Sequence, residues 1–162
     1  MAPLVEREQI KKVWDEQSEM DFFEVEGWIA RLSREQPLLL GYLMSTNDEE
    51  YNFEEKQLLL YLGVAMWRML LETDAKLTEV TMEDIEAAQQ RNIEMIEYLE
   101  EEIPGDFGKT VQSIFANYHQ KYILEYLLQA IFEEESEQAR IRPKSKGLLF
   151  FDLKTVLDCL DR

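Results

Sequence analysis

The sequence predicts an all-α fold, a single compact multi-helix domain of about six or seven helices. Apolar residues recur along most of the chain at intervals of three and four, as on the buried face of a helix, and strictly alternating runs are absent. Six glycines and four prolines leave few points at which helices must end. The stretch from Leu58 to Leu71 is apolar except for Gly63 and Arg68, which predicts a buried central helix over about 53–73.

Three helices are expected before the central one. The first covers about residues 4–17, where the apolar positions follow helical spacing. The second begins between Ser18 and Asp21, which resemble the polar residues of a capping box, and its Gly27 suggests a close approach to another helix. Pro37 is expected to end this helix and to open a short third one, because proline disfavours helix in the residue before it and fits a first turn.

The central helix is expected to follow the polar connector 45–50, which offers side chains suited to cap it. Within the helix, Leu62 and Trp67 should be buried. A buried charged group needs a partner, so we expect Arg68 to pair with a carboxylate or to cap a backbone carbonyl.

Two further long helices are expected after the central one. Thr81 and the acidic residues next to it mark the start of the first, whose apolar stripe extends to Ile103. A proline and two glycines within 104–108 then interrupt the helical pattern. The apolar-rich segment 111–132 predicts the second as one continuous helix.

The C-terminal segment is expected to form a helix over 148–160 that starts after Gly147. The sequence LLFF at 148–151 could instead form a short strand, although the chain offers no partner strand. No linker rich in glycine, serine or proline divides the chain, so we expect one domain, 1–162. A chain of this length buries enough surface to fold without a disulfide or a metal.

The apolar content argues against a membrane protein. The run from Leu58 to Leu71 is shorter than the ~20 apolar residues that cross a bilayer, and it contains Arg68. The N-terminus lacks the basic start and apolar core of a signal peptide. The single cysteine, Cys159, cannot form an intrachain disulfide. These features predict a soluble cytoplasmic protein that does not bind membranes.

The charge is strongly negative. Thirty-four acidic residues stand against 17 basic ones, a formal net charge of -17. Such a field repels nucleic-acid phosphates and anionic lipid surfaces, so we expect no binding of nucleic acid. Solvated acidic helix faces account for this composition, and an acidic mimic of nucleic acid is an alternative interpretation.

The sequence predicts neither a metal site nor a cofactor. A di-iron helical bundle needs a Glu-x-x-His motif on two helices, but the only histidine, His119, has Ala116 three residues before it. One cysteine and one histidine are too few for a zinc site. Glycine-rich phosphate loops and calcium loops are absent from the sequence. A site for magnesium or calcium made of carboxylates alone stays open.

Three tyrosines form the most distinctive pattern. Tyr118, Tyr122 and Tyr126 stand at i, i+4 and i+8, so on a continuous helix they share one face, which His119 and Gln129 border. Such a face could be an ordinary core surface whose hydroxyls find polar partners. It could also form a groove for a peptide or a small ligand, or support catalysis by His119.

A cluster of basic residues follows the last acidic run. Arg140, Arg142, Lys144 and Lys146 lie within seven positions, downstream of glutamate runs at 100–102 and 133–135. We expect this basic segment to form a loop that folds back over those acidic helix ends. A binding site for an acidic partner or a phosphate is the alternative, and simple solvation of the charges is another.

The sequence therefore predicts an interaction or regulatory protein without catalytic activity, with another protein as its partner and its oligomeric state left open. The rival prediction is an enzyme or a small-ligand-binding protein that uses the tyrosine face with His119. The nucleic-acid mimic is a third prediction, drawn from the charge alone.

Overall fold

The computed structural model describes residues 1–102, 105–133 and 141–162. Within these ranges the regular structure is helical, so the all-α prediction is confirmed. Eight α-helices and one π-helical segment are present there: α1 Arg7–Ser18, α2 Phe22–Glu35, α3 Pro37–Ser45, α4 Phe53–Leu71, α5 Met82–Glu102, α6 Phe107–Phe115, α7 Lys121–Leu128, the π segment Gln129–Glu133, and α8 Pro143–Leu160. None of the described helices is both long and apolar enough to cross a membrane.

Helix α4 is the centre of the domain, as the apolar run predicts. It packs against α1, α2, α3, α7 and α8. Leu62 and Trp67 are both buried, and Arg68 Nη2 donates to Glu16 Oε2 at 2.8 Å, which confirms the predicted carboxylate partner. Asn52 caps the helix through a reciprocal pair of hydrogen bonds with Glu55, because both side chains satisfy backbone N–H groups that the first turn leaves unpaired.

Gly63, and not Gly27, is the glycine at a close helix contact. A Cβ atom on Gly63 would lie 2.7 Å from Leu43 Cδ1, so glycine lets α3 pack directly on α4. Beyond the backbone of its own helix and its chain neighbours, no atom of the described residues lies within 4 Å of the corresponding position on Gly27. The prediction for Gly27 is therefore wrong, because α2 turns that position away from its neighbours.

The N-terminal helices begin later than predicted. Residues before Arg7 are extended, and Glu6 forms the capping box of α1 with Gln9. At the start of α2, Asp21 accepts a hydrogen bond from the Glu24 amide at 2.9 Å, while Ser18 Oγ donates back to a carbonyl of α1. Asp21 is thus the cap by itself, and the predicted Ser18–Asp21 box is wrong.

The segment 111–132 is not one helix. Helix α6 ends at Phe115 and α7 begins only at Lys121. The buried Gln120 side chain lies in the break, where its Oε1 accepts from the Val5 amide at 3.0 Å and its Nε2 donates to the Pro3 carbonyl at 2.9 Å. These contacts hold the extended N-terminal segment, and they favour the break over the continuous helix that local pattern predicts.

Helix α8 starts four residues earlier than Gly147, at Pro143, which suits a first helical turn. Residues 148–151 are helical, so the alternative of a strand is wrong. The helix packs along both α4 and α5. Its inner face carries Asp152, which accepts hydrogen bonds from Tyr42 Oη, Asn47 Nδ2 and Tyr51 Oη at 2.6 to 3.2 Å. These bonds join α8 to α3 and to the connector between α3 and α4.

Candidate functional site

The predicted tyrosine face is divided between two places. Tyr118 lies in the turn between α6 and α7, so it does not share a helix with Tyr122 and Tyr126. Its hydroxyl donates to Asp158 Oδ1 at 2.5 Å. Burial raises the pKa of Tyr118 well above its usual value, and the charge of Asp158 raises it further. Tyr118 therefore serves as a neutral donor that fixes the turn to α8.

A buried lysine completes the polar cluster around Tyr118. Lys154 Nζ donates to Asn92 Oδ1 at 2.7 Å and to Asp158 Oδ2 at 2.9 Å, and it lies 5.1 Å from the centre of the Tyr118 ring. Asn92 in turn donates to Thr155 Oγ1 at 3.0 Å. Each polar group is paired within the cluster, so we assign it to joining α5, α8 and the turn. The i, i+4 spacing of Lys154 and Asp158 is visible in the sequence, but sequence reasoning missed it.

His119 is held by a carboxylate. Its Nδ1 lies 2.8 Å from Asp161 Oδ2, and Asp161 Oδ1 also accepts from the Ala2 amide and from Gln120 Nε2, each at 3.2 Å. This arrangement links the end of α8 to the N-terminal segment. An oriented imidazole could act as a general base, but its described contacts bring no hydroxyl or thiol nucleophile to the ring.

The other two tyrosines line a groove between α1 and α7, which we call the α1–α7 groove. Its volume is about 270 Å³. The Tyr126 ring lies 5.3 Å from Trp14, and the Tyr122 ring lies 4.6 Å from the Arg7 guanidinium. The full lining is Arg7, Ile10, Lys11, Trp14, Tyr122, Glu125, Tyr126, Gln129 and Ala130. The sequence indicates the α7 wall, whereas the α1 wall depends on tertiary packing.

Two basic side chains at the mouth of the α1–α7 groove form ion pairs with carboxylates of the same protein. Arg7 Nη2 lies 3.0 Å from Glu125 Oε2, and Lys11 Nζ lies 2.6 Å from Asp15 Oδ2. Trp14, Tyr122 and Tyr126 supply the aromatic part of the groove's lining. One end meets the π segment Gln129–Glu133, and short π-helical stretches often occur at functional sites. The aromatic part of the lining suits a flat apolar ligand or side chain.

Part of the acidic run 133–135, over which the basic segment is predicted to fold, lies outside the described residues. Arg140 lies outside the described residues. Arg142 pairs instead with Glu55: its Nη2 lies 2.6 Å from Glu55 Oε1, and its backbone N–H donates to Glu55 Oε2 at 2.9 Å. Lys144 and Lys146 belong to the start of α8 rather than to a loop, and Lys146 Nζ lies 5.9 Å from the centre of the Phe132 ring. Their role in binding an acidic partner stays a prediction.

Glu55 keeps its charge although it is fully buried. Burial alone would raise its pKa, but hydrogen bonds from Arg142, the Asn52 backbone and Ser145 outweigh it and lower the pKa to about 2. The pair joins the start of α4 to the start of α8. The Arg142 guanidinium is therefore already paired with Glu55, and this pairing disfavours the binding of a second anion by Arg142.

The surface of α5 is unlike the rest of the helices. Eight of its residues are acidic and only Arg91 is basic. Three large apolar side chains on the same helix are exposed: Met82, Ile93 and Tyr98. Among described ion pairs, α5 contributes Asp84, which bonds to Arg162 at 2.7 Å, whereas its glutamates contribute none. We call the solvent-facing side of Met82–Glu102 the α5 face.

A second groove opens beside the α5 face, between α5 and α6. It is lined by Met95, Tyr98, Leu99, Glu102, Ser113 and Ile114, and its volume is about 490 Å³. Sequence reasoning recognised the apolar stripe of α5 and the glutamates at 100–102, but it did not predict a groove. The signal that could have indicated one is Tyr98, an aromatic residue surrounded by glutamates.

Within the described residues, no group of three or more histidine, cysteine, aspartate or glutamate side chains is arranged to hold a metal ion. A carboxylate arrangement of fewer groups would need backbone or water ligands to complete a site for magnesium or calcium. No protein-family model, curated protein or solved structure matches this chain.

Proposed function

We propose that this protein is a non-catalytic interaction or regulatory protein, and that its α5 face binds another protein. The observation that carries the proposal is the combination of exposed Met82, Ile93 and Tyr98 with the carboxylates of the same helix. Exposed aromatic and apolar side chains on one helix support a binding role, because interfaces are enriched in such residues. The carboxylates keep that surface soluble until a partner covers it.

The partner class follows from the chemistry of the face. Its carboxylates repel nucleic acid and anionic membranes, so they favour a partner that carries basic residues. A nucleic-acid mimic would also present carboxylates, but exposed Ile93 and Tyr98 have no counterpart on a phosphate surface. A protein partner with both basic and apolar residues accounts for both features.

The proposal is tested by capture with matched variants. The parent protein, a Tyr98→Ser/Ile93→Ser double variant and a Phe23→Ser control are immobilised and exposed to the same native lysate. Phe23 is a suitable control because it is an exposed aromatic residue on α2, away from the α5 face. We expect a stoichiometric partner on the parent and on the control but not on the double variant. Equal capture by all three proteins, or none by the parent, would contradict the proposal.

The α1–α7 groove supports a second candidate, a small-ligand-binding protein. Trp14, Tyr122 and Tyr126 provide an aromatic lining that suits a planar apolar group. Titration with indole, followed by NMR, should shift the Trp14 side-chain N–H resonance in a saturable way and leave Trp67, which is buried in the core, unchanged. A linear shift, or an equal shift at both tryptophans, would count against this site.

A further inference from the structure

The groove between α5 and α6 has the dimensions of a helix-binding site. Its α5 wall consists of Met95, Tyr98, Leu99 and Glu102, which are spaced i, i+3, i+4 and i+7 and so follow one stripe of the helix. From Met95 to Glu102 the wall rises about 10 Å at the helical rise of ~1.5 Å per residue. That length matches two turns of a second helix. The α6 wall adds Ser113 and Ile114.

The interior of this groove is apolar and open to solvent. Tyr98 is 61% exposed and Met95 is half-buried, so both can gain contacts from an added helix. Leu99 and Ile114 are buried at the base. An amphipathic helix binds such a groove through apolar side chains at i, i+3 or i+4, and i+7, which is a common mode of peptide recognition.

The rim of the groove carries more negative than positive charge. Glu102 lines it directly. Glu94 precedes Tyr98 by four residues and Glu101 follows it by three, so helical periodicity places both beside the tyrosine. Gln90 Nε2 donates a hydrogen bond to Glu94 Oε1 at 3.1 Å. The nearby cations are Arg91, one turn before Met95, and Lys109, one turn before Ser113. The carboxylates outnumber them.

We infer that this groove binds an amphipathic helix with a basic polar face, supplied by another protein. The inference rests on the proposed function and specifies its partner. A second copy of this chain is a poor occupant, because it would bring its own charge of -17 against an acidic rim. Apolar anchors on the partner would enter between Tyr98 and Ile114, and lysine or arginine residues would face the glutamates.

The probe is a fluorescent peptide of about 18 residues made of leucine and lysine, long enough to form a helix when bound, with its leucines at helical spacing. A peptide of the same composition in scrambled order tests whether the amphipathic pattern matters, and a leucine–glutamate version tests the charge. Fluorescence anisotropy measures the dissociation constants. We expect the patterned basic peptide to bind about tenfold more tightly than the scrambled one, and the acidic peptide not to bind.

Matched variants locate the binding. Tyr98→Ser should weaken it by about fivefold, since truncation of one exposed aromatic anchor typically has an effect of this size. Phe23→Ser should leave it unchanged, because Phe23 is an exposed aromatic residue on α2 that does not line the groove. Glu101→Gln should weaken binding and reduce its dependence on salt, whereas Glu86→Gln, more than two turns before the groove, should have a smaller effect.

NMR on the parent protein provides a readout that does not depend on any variant's stability. The Met95 and Ile114 methyl resonances should shift when the patterned peptide is added, and the Ile10 methyl should not. Equal binding of the scrambled peptide, equal effects of Tyr98→Ser and Phe23→Ser, or unshifted Met95 and Ile114 resonances would overturn the groove inference. A dimer in sedimentation that Tyr98→Ser dissociates would also overturn it, in favour of self-association. In each case the capture experiment still decides whether the α5 face binds a protein.

Discussion

Replacement of Glu55 by glutamine tests whether the ion pair between α4 and α8 stabilises the fold. Glu55 is fully buried, and it receives three hydrogen-bond donors of Arg142 as well as the Asn52 amide. Glutamine has nearly the same shape but no charge, and its amide group would place a donor against the guanidinium. The variant therefore removes the charge without leaving a cavity.

The magnitude follows from the pKa of Glu55. A shift from the ordinary 4.5 to about 2 corresponds to roughly 3 kcal/mol at ~1.36 kcal/mol per unit. Because the Arg142 side chain is 38% exposed, solvent screens the pair and reduces this to about 2 kcal/mol. The folded pKa lies below the unfolded one, so the ionised form is the stabilised form. The ionised Glu55 carboxylate contributes fully to the free energy of unfolding above pH 4.5, and this contribution is lost as the pH falls through 2.

Urea unfolding followed by circular dichroism measures the effect. Glu55→Gln should lower the free energy of unfolding by about 2 kcal/mol at pH 7, and its difference from the parent should shrink as the pH falls from 4.5 towards 2. Glu54→Gln is the matched control, since it removes a charge from the same helical turn but lacks this partner. If the two variants lose equal stability at pH 7, or if the difference does not change with pH, the reasoning is refuted.

Three further predictions concern the core, the cysteine and nucleic acid. Trp67→Ala should lower the free energy of unfolding in urea by ~3–5 kcal/mol, because Trp67 is 1% exposed and its ring packs on Trp28. An unchanged urea midpoint would contradict the central position of α4. Burial raises the pKa of the Cys159 thiol to about 11. A disulfide reagent at pH 8 should therefore modify the native protein at least about a hundredfold more slowly than the urea-unfolded protein. Equal rates would show that the thiol is accessible. Duplex DNA at ~0.15 M salt should not bind, and a salt-dependent mobility shift at micromolar protein would disprove this.

Local signals in the sequence predict much of the helical framework. The apolar run around Trp67 identifies α4, because only a helix surrounded by others can bury nearly every side. Pro37 marks the boundary between α2 and α3, and Thr81 caps α5 through reciprocal bonds with Asp84. These features act within one or two turns, so they can be interpreted without knowledge of the tertiary structure.

The errors arise where distant residues determine local structure. The break before α7 depends on Gln120, whose partners Pro3 and Val5 lie more than a hundred residues earlier. The segment 111–132 contains no proline or glycine that would indicate this break. The spacing of charges predicts that Arg142 lies over acidic helix ends, whereas in the described structure it pairs with the buried carboxylate of Glu55.

In the candidate site, too, features within one helix could be predicted from the sequence, whereas features that depend on tertiary packing could not. Helical spacing correctly joins Tyr122 to Tyr126, because both belong to α7. It fails for Tyr118, which lies beyond the break, and it cannot supply Trp14, since the α1–α7 groove exists only once the two helices pack together. Prediction from spacing therefore holds within an element and stops at its ends.

The arrangement of charges on α5 gives the strongest physical reason to assign function to that helix. Glu94, Glu97 and Glu101 follow one another at i, i+3 and i+7, and like charges at such spacing destabilise a helix by ~0.2–0.5 kcal/mol per pair. Glu100, Glu101 and Glu102 end the helix, where the partial negative charge of the helix terminus makes acidic residues unfavourable. Elsewhere in the described structure, acidic residues such as Glu16, Glu55 and Asp158 neutralise a cation of the same chain. The glutamates of α5 make no such ion pair there, so the repulsion among Glu94, Glu97 and Glu101 is not offset by a cation of the same chain. Under the proposed function, a basic helix in the groove between α5 and α6 would bring cations to these carboxylates and replace the repulsion with attraction.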